Sequence, residues 1–148
     1  MYTKINEKDS IMKLGAIYSK EKTTFTLFSP VADSVFVIFY DKGNDSAETG
    51  RLEMMRGEGE LRSIFSATAE GNLDGVYYTY EVHTSDGTFS SHDPYARACG
   101  VNGHRSMVID LSKTDPDGFA DEDRPKLADP MSMVITEVSV ADVSAGAS

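Results

Sequence analysis

The 148-residue sequence has no tryptophan and a single cysteine, and its 14 basic residues are outnumbered by 24 acidic ones. Cys99 has no second cysteine to pair with, so no internal disulfide forms, as in proteins of reducing compartments. No apolar run approaches the roughly 20 residues that cross a bilayer, so we expect no membrane contact. The formal net charge of −10 repels a phosphate backbone, so we expect no nucleic-acid partner.

The chain also lacks the features of large barrel enzymes and of exported proteins. A (β/α)8 barrel takes roughly 250 residues, so a complete barrel is excluded. Residues 1–13 carry charges throughout, whereas a secretory signal needs an apolar stretch. We therefore expect a cytoplasmic protein.

Motifs for metal or cofactor chemistry are missing as well. His83, His92 and His104 lack metal-ligand spacing. The acidic residues between 115 and 123 lack the order of a calcium-binding loop. The sequence also contains neither a nucleophile elbow nor a glycine-rich phosphate loop. We expect no metal site and no cofactor.

The apolar pattern that is present favours β-strands. Residues 23–29 and 60–69 alternate between apolar and polar positions, and residues 34–40 are apolar on both faces. Residues 76–83 show the clearest strand pattern, and Asp86-Gly87 then predicts a hairpin turn. Short strands separated by turn signals predict an all-β antiparallel sandwich.

The pattern changes towards the C-terminus. Residues 106–111 predict a further strand of the sandwich, with Met107, Ile109 and Leu111 on one face. An acidic, proline-rich linker follows. Residues 133–140 then form one more strand-like run before a small, polar end.

Aromatic residues gather in one part of the sequence and suggest a ligand. Tyr77, Tyr78, Tyr80, Phe89 and Tyr95 lie close together along the chain, and sugar rings stack on flat aromatic faces. Tyr78 and Tyr80 share the apolar face of their strand, so we expect them in the core. Tyr77, on the opposite face, and Phe89, next to the hairpin turn, remain candidates for sugar binding.

Two longer stretches carry a family resemblance. They read DGVYYTYEV (residues 74–82) and HDPYARACGVNGHRSMVIDL (residues 92–111), and they resemble the N-terminal region of type I pullulanases of glycoside hydrolase family 13. That region holds a family 48 carbohydrate-binding module, and residues 14–35 resemble its opening strands. The resemblance implies an immunoglobulin-like antiparallel β-sandwich with a C-terminal extended tail.

The resemblance also implies a role for the chain and its candidate site. The family acts on α-1,6-glucosidic linkages through a barrel that follows the module, so we expect no catalytic residue here and no enzyme activity of this chain. Some modules of the family bind glycogen through an aromatic residue after an Asp-Gly turn, with a polar loop nearby. Phe89 and Asn102 occupy comparable places, and Tyr77 is added because it lies on the face opposite to Tyr78 and Tyr80.

The resemblance divides the chain and also shows departures. Phe28 and Phe65 stand where the family has tryptophan, and residues 135–143 lack most of the family's first barrel strand. We expect a sequence truncated before the barrel. Its expected parts are an N-terminal tail (1–13), the module (14–112), an acidic linker (113–130) and a remnant of the first barrel strand (131–148).

Three interpretations stay open at this point. The chain is a module that binds α-glucan weakly, as starch, glycogen or pullulan. Alternatively, it is a structural domain that packs on a glycoside hydrolase barrel, in cis or in trans. A third possibility is an immunoglobulin-like interaction domain that has lost sugar binding, which the absence of tryptophan favours.

Overall fold

The computed structural model describes residues 13–123, 126 and 128–145, and the chain divides into two units between Thr114 and Asp115. The described part of the first unit contains nine strands, which run antiparallel wherever they pair. They are β1 (Gly15–Tyr18), β2 (Lys22–Phe28), β3 (Ser34–Tyr40), β4 (Glu48–Arg56), β5 (Ile64–Glu70), β6 (Tyr77–Thr84), β7 (Gly87–Ser91), β8 (Ala98–Cys99) and β9 (Ser106–Met107). Short 3₁₀ turns lie at Gly59–Leu61, Val101–Gly103 and Leu111–Lys113.

The strands form one curled sheet whose two ends face each other. The order is β1-β2-β5-β4-β3-β6-β9-β8, and β7 also pairs with β6. Most of β4 pairs with β3, whereas its last residues, Met55 and Arg56, pair with Ser66 and Phe65 of β5. This strand therefore passes from one layer of the sandwich to the other. The predicted all-β antiparallel sandwich is confirmed.

The core lies between the two layers and is built from alternate residues. β2 and β5 contribute Phe25 and Phe65, and both side chains are fully buried. β3 contributes Val35 and Val37 from the other layer. Large β-branched and aromatic side chains fill such a pleated interior well. The alternation predicted for residues 23–29 is thereby confirmed for the face that carries Phe25.

Tyr78 and Tyr80 of β6 also point into this core, as predicted, and their hydroxyl groups need partners there. Both hydroxyls donate to Oδ2 of Asp93, at 2.7 Å from Tyr78 and 3.2 Å from Tyr80. Asp93 is only 2% exposed. Its Oδ1 accepts from the Tyr95 amide at 2.8 Å, and its own amide donates to Oγ of Ser106 at 2.8 Å. Asp93 thus joins β6 and the segment between β7 and β8 through its carboxyl group, and β9 through its amide.

The strand predicted over residues 106–111 is shorter than expected and buries the other face. Only Ser106–Met107 is a strand, although the Val108 amide still donates to the Val76 carbonyl at 2.9 Å. Val108 is buried, and Leu111 is exposed. The expectation that Met107, Ile109 and Leu111 form the apolar face was wrong as a core assignment. Ser106 pairs with the buried Tyr78 of β6, so Ser106 and, two positions later, Val108 lie on the side that faces the core.

The second unit contains no strand among its described residues, so the strand predicted over residues 133–140 was wrong. The described residues form 3₁₀ turns at Phe119–Asp121 and Pro130–Ser132 and one short helix, α1 (Val140–Ser144). A strand needs a neighbour to satisfy its amide and carbonyl groups, and this unit offers none in its described part. None of the described helices of the chain is long and apolar enough to span a membrane.

Removing the Asp93 carboxyl group should destabilise the module strongly. Asp93→Ala leaves two buried tyrosine hydroxyls without their acceptor, and each such loss costs about 1–3 kcal/mol. We expect the free energy of unfolding to fall by about 3 kcal/mol, measured by urea denaturation. Asp41→Ala, at an exposed position, is the control and should change it by less than about 0.5 kcal/mol. Equal effects of the two substitutions would contradict the role of Asp93.

The buried tyrosines also predict loss of stability in alkali. Burial, reinforced by the Asp93 charge, raises the pKa of Tyr78 and the pKa of Tyr80 well above the ordinary value. Both tyrosines ionise near pH 10 in the unfolded chain, so the unfolded state binds fewer protons above that pH. The contribution of the two tyrosines to the free energy of unfolding is therefore fully present below about pH 10. Above that pH it is lost by about 1.4 kcal/mol per pH unit for each tyrosine.

Denaturation curves at increasing pH, from about pH 8 to pH 11, test this expectation. Tyr80→Phe removes one of the two buried ionisable groups and should reduce the alkaline slope by about half. Tyr95→Phe is the matched control, because the Tyr95 ring is half exposed. The same slope in Tyr80→Phe as in the unaltered protein would show that another group governs alkaline unfolding.

Candidate functional site

The three residues predicted to bind sugar do not form one cluster. Tyr77 begins β6, and Phe89 pairs with Val82, five residues farther along the same strand. At about 3.3 Å per residue, the two positions lie about 17 Å apart. Side chains alternate along β6, so Tyr77 and Val82 point to opposite faces, and Phe89 shares the face of its partner Val82. One sugar chain cannot stack on both rings at once.

Tyr77 and Asn102 do lie at the same end of the sandwich, where two loops meet. These are residues 41–47 and residues 99–105. Gly43 and Gly100 bring the loops together, because a Cβ added at Gly43 would lie 2.8 Å from the Gly100 Cα and 3.1 Å from the Tyr77 ring. Asn102 is exposed on the second loop and adopts a left-handed backbone (φ 53°).

Arg105 holds these two loops together. Its guanidinium donates to the carbonyls of Lys42 at 2.7 Å and Ser46 at 2.8 Å, and to Oγ of Ser46 at 2.8 Å. The same group stacks on the ring of Tyr40, 3.5 Å from its centroid. Planar guanidinium groups suit this combination of several acceptors and an aromatic face. The loops near Tyr77 and Asn102 therefore form a fixed surface.

Phe89 lies on the β6–β7 hairpin, where every residue of β7 is exposed. Its ring is 54% exposed and so offers a surface for stacking. Nearby, Thr88 contacts Nδ1 of His83 at 3.3 Å, and Nε2 of His83 contacts Glu81 at 3.0 Å. Because His83 pairs with Thr88, these polar side chains lie on the face of the hairpin opposite to Phe89.

A network of charged side chains covers the outer face of the layer that contains β6. Arg51 donates to both carboxylate oxygens of Glu48, at 3.2 and 3.0 Å, and to Glu81 at 3.3 Å. The hydrogen bond from Arg51 holds the pKa of Glu48 below its ordinary value. Sequence reasoning missed this network because it joins strands β4 and β6, which pair only through β3.

A groove opens along the side of the sandwich, between β1 and residues 107–112. Its volume is about 520 Å³, and its lining includes Tyr18, Tyr95 and Asp110. Tyr95 lies against β1 at Gly15, where an added Cβ would approach the Tyr95 Cβ to 2.8 Å. Gly15 also has a positive φ of 92°, which favours glycine. The groove therefore depends on a close backbone approach that only glycine permits.

Charged groups lie at one end of this groove. Nζ of Lys113 donates a hydrogen bond to Oδ2 of Asp74 at 2.6 Å and lies 3.7 Å from Oδ2 of Asp110. The hydrogen bond to Asp74 lowers the pKa of that carboxyl group. Partial desolvation and the charges of Asp110 and Asp74 raise the pKa of Tyr18. The Tyr18 hydroxyl donates to Oδ1 of Asn72 at 2.9 Å. Tyr95 belongs to the group of aromatic residues seen in the sequence, but no local sequence pattern predicts the groove.

Metal-binding chemistry has no candidate site in the described part of the chain. No group of three or more histidine, cysteine, aspartate or glutamate side chains comes together there. Cys99 is exposed and unpaired in β8.

Comparison with known proteins identifies relatives of this fold. Residues 13–96 match the family described as carbohydrate-binding module 48 (isoamylase N-terminal domain). Pullulanase A of Streptococcus pneumoniae serotype 4 is 31% identical over 116 residues, which are 74% of this chain and 9% of that protein. The chain thus spans about a tenth of the length of the curated relatives it matches.

Solved pullulanase structures also match most of this chain with a small part of their own length. Pullulanase from Paenibacillus barengoltzii, in complex with maltohexaose and α-cyclodextrin, superposes with a TM-score of 0.73 at 34% identity. The match covers 80% of this chain and 18% of that one. Pullulanase from Bacillus acidopullulyticus gives a TM-score of 0.71 at 35% identity, over 80% of this chain and 14% of the other.

The contacts of Arg105 predict that its charge alone cannot hold the two loops. Arg105→Lys keeps one positive charge but loses the planar stack and the fork of donors. We expect amide exchange in residues 41–47 to accelerate about tenfold, as a loss of about 1.4 kcal/mol would cause. Arg62→Lys, at an exposed position, is the matched control. Unchanged exchange in Arg105→Lys would show that the glycine contact alone fixes the loops.

Proposed function

Because the chain belongs to the carbohydrate-binding module 48 family, we propose that it binds α-glucans such as starch, glycogen or pullulan. The observation that carries this proposal is the likeness to a pullulanase solved with maltohexaose and α-cyclodextrin. A carbohydrate-binding module of this kind is a non-catalytic domain. The reaction of the whole protein, which we propose to be hydrolysis of α-1,6-glucosidic bonds, needs two carboxylates around the bond, and we assign them to a barrel domain.

Charge and shape of the chain support a neutral sugar ligand. A net charge of −10 opposes anionic ligands, whereas glucan carries no charge. Phe89 exposes an aromatic ring on the hairpin, and Tyr95 lines the side groove together with polar groups. Each stack on a phenyl or phenol ring contributes little, and association itself costs free energy. We therefore propose weak binding, with a dissociation constant in the range of roughly micromolar to millimolar.

For the stacking residue on the hairpin we propose Phe89, with Tyr77 and Asn102 as a separate contact at the loop end of the sandwich. The exposure of Phe89 and the fixed loops around Tyr77 support these assignments. Since the two places lie on opposite faces of β6, each would contact a different sugar or a different part of a branched glucan.

A second candidate function is packing on a glycoside hydrolase barrel, in cis or in trans. The observation that favours it is the apolar surface of the second unit. Its exposed large apolar side chains between residues 131 and 143 are Met131, Met133, Val134, Ile135, Val138, Val140 and Val143. Such a series of exposed apolar residues is typical of protein contact surfaces. This candidate needs no sugar site in the module.

Affinity electrophoresis in gels that contain glycogen or amylopectin separates the two candidates. We expect the chain to be retarded relative to a gel without glucan, and Phe89→Ala to migrate faster than the unaltered chain. Phe28→Ala is the matched control, because Phe28 of β2 is also 54% exposed. The purified chain should release no reducing sugar from pullulan. A chain that is not retarded at all would contradict glucan binding and would favour the barrel-packing role.

A further inference from the structure

We propose that the side groove between β1 and residues 107–112 is a separate α-glucan site in which the Tyr95 ring stacks on a glucose unit. This inference rests on the proposed function and adds a place to it that lies apart from Phe89, Tyr77 and Asn102. Its basis is the position, size and chemistry of the groove.

The first argument is the shape of the groove. The groove lies between β1 and residues 107–112, and Tyr95 reaches β1 at Gly15 beside it. The space that remains measures about 520 Å³, within the range of about 300–1,000 Å³ that small-molecule sites occupy. A concave site covers more of a short sugar chain than the convex hairpin around Phe89 does. We therefore expect the groove to be the tighter of the two places.

The second argument is that Tyr95 is both exposed and fixed. The residue is 51% exposed and lines the groove, so its ring is accessible to a ligand. Its amide donates to the buried Asp93 carboxyl group at 2.8 Å, and its Cβ lies against Gly15. An aromatic ring on a backbone held at two points loses little freedom when a sugar stacks on it.

The third argument is the mixture of polar groups along the groove. Lys13 and Arg97 line it with groups that can donate hydrogen bonds, whereas the Asp110 carboxylate and the Tyr18 hydroxyl oxygen can accept them. Lys113 and Asp74 extend this polar end. Sugar hydroxyls donate and accept at the same time, so they suit a site that offers both kinds of group. Charges of both signs disfavour a simple anion or cation.

An added peptide strand fits this place less well than a sugar does. β1 has only four residues, and the Tyr95 Cβ occupies the space beside Gly15. A peptide that extends a sheet needs a free row of backbone groups along the edge. The geometry therefore favours a compact ring with hydroxyl groups over an extended backbone.

The experiment is a titration of the full chain with maltohexaose that is monitored by NMR amide shifts. The titration curves give the dissociation constant. We expect the largest shifts at Ile17, Tyr95 and Leu111. Tyr95→Ala should weaken binding about tenfold, and Tyr95→Trp, with its larger ring, should tighten it about threefold. Phe28→Ala is the control and should leave the constant unchanged. Tyr95→Ala keeps its Cβ against Gly15, and the thermal transition checks that the fold remains.

The possible results separate the groove from the proposed function. Maltohexaose binding with shifts confined to the β6–β7 hairpin, and with Tyr95→Ala and Tyr95→Trp both unchanged, would overturn the groove site but leave glucan binding intact. No binding by the unaltered chain would overturn both. Should Tyr95→Ala prove unfolded, an unchanged affinity of a folded Tyr95→Trp would by itself overturn the proposal.

Discussion

The buried carboxyl group of Asp93 is the constraint on which the module's open side depends. Two tyrosines fill the core from β6, and each carries a hydroxyl group into a place where water cannot reach it. A buried polar group without a partner costs more than a hydrogen bond contributes, so the large rings are tolerated only if an acceptor lies beside them. Asp93 provides it, and Ser106 and the Tyr95 amide fix Asp93 in turn.

The same arrangement links the core to the surface. Because Asp93 is held inside, the residue two positions later, Tyr95, must emerge against β1. There it meets Gly15, where no side chain competes for the space. The DPY motif is therefore a structural element first, and its third residue carries a ring to the groove. A motif that marks a family can thus have its origin in core hydrogen bonding while shaping a possible ligand surface.

Local patterns were sufficient for the parts of the fold that alternate regularly. Residues 23–29 and 76–83 each bury one face against the other layer, so their period of two is visible in the sequence. Asp93 was missed because its partners lie 13 to 15 residues away. The face of residues 106–111 and the distance between Phe89 and Tyr77 depend on strand register. Residues 133–140 have strand-forming side chains but no neighbouring strand, and composition cannot show that.

The passage of β4 from one layer to the other has a consequence for how the module loses its structure. Most of β4 pairs with β3, and its final residues pair with β5. Separating the two layers therefore breaks backbone hydrogen bonds within one continuous strand, besides exposing the core. Neither layer can therefore unfold as an independent cooperative unit. Partial opening is confined to β1, β7 and β8 at the margins of the sheet. The interior thus melts in one cooperative step, while ligand contacts at the margins adapt locally without weakening it.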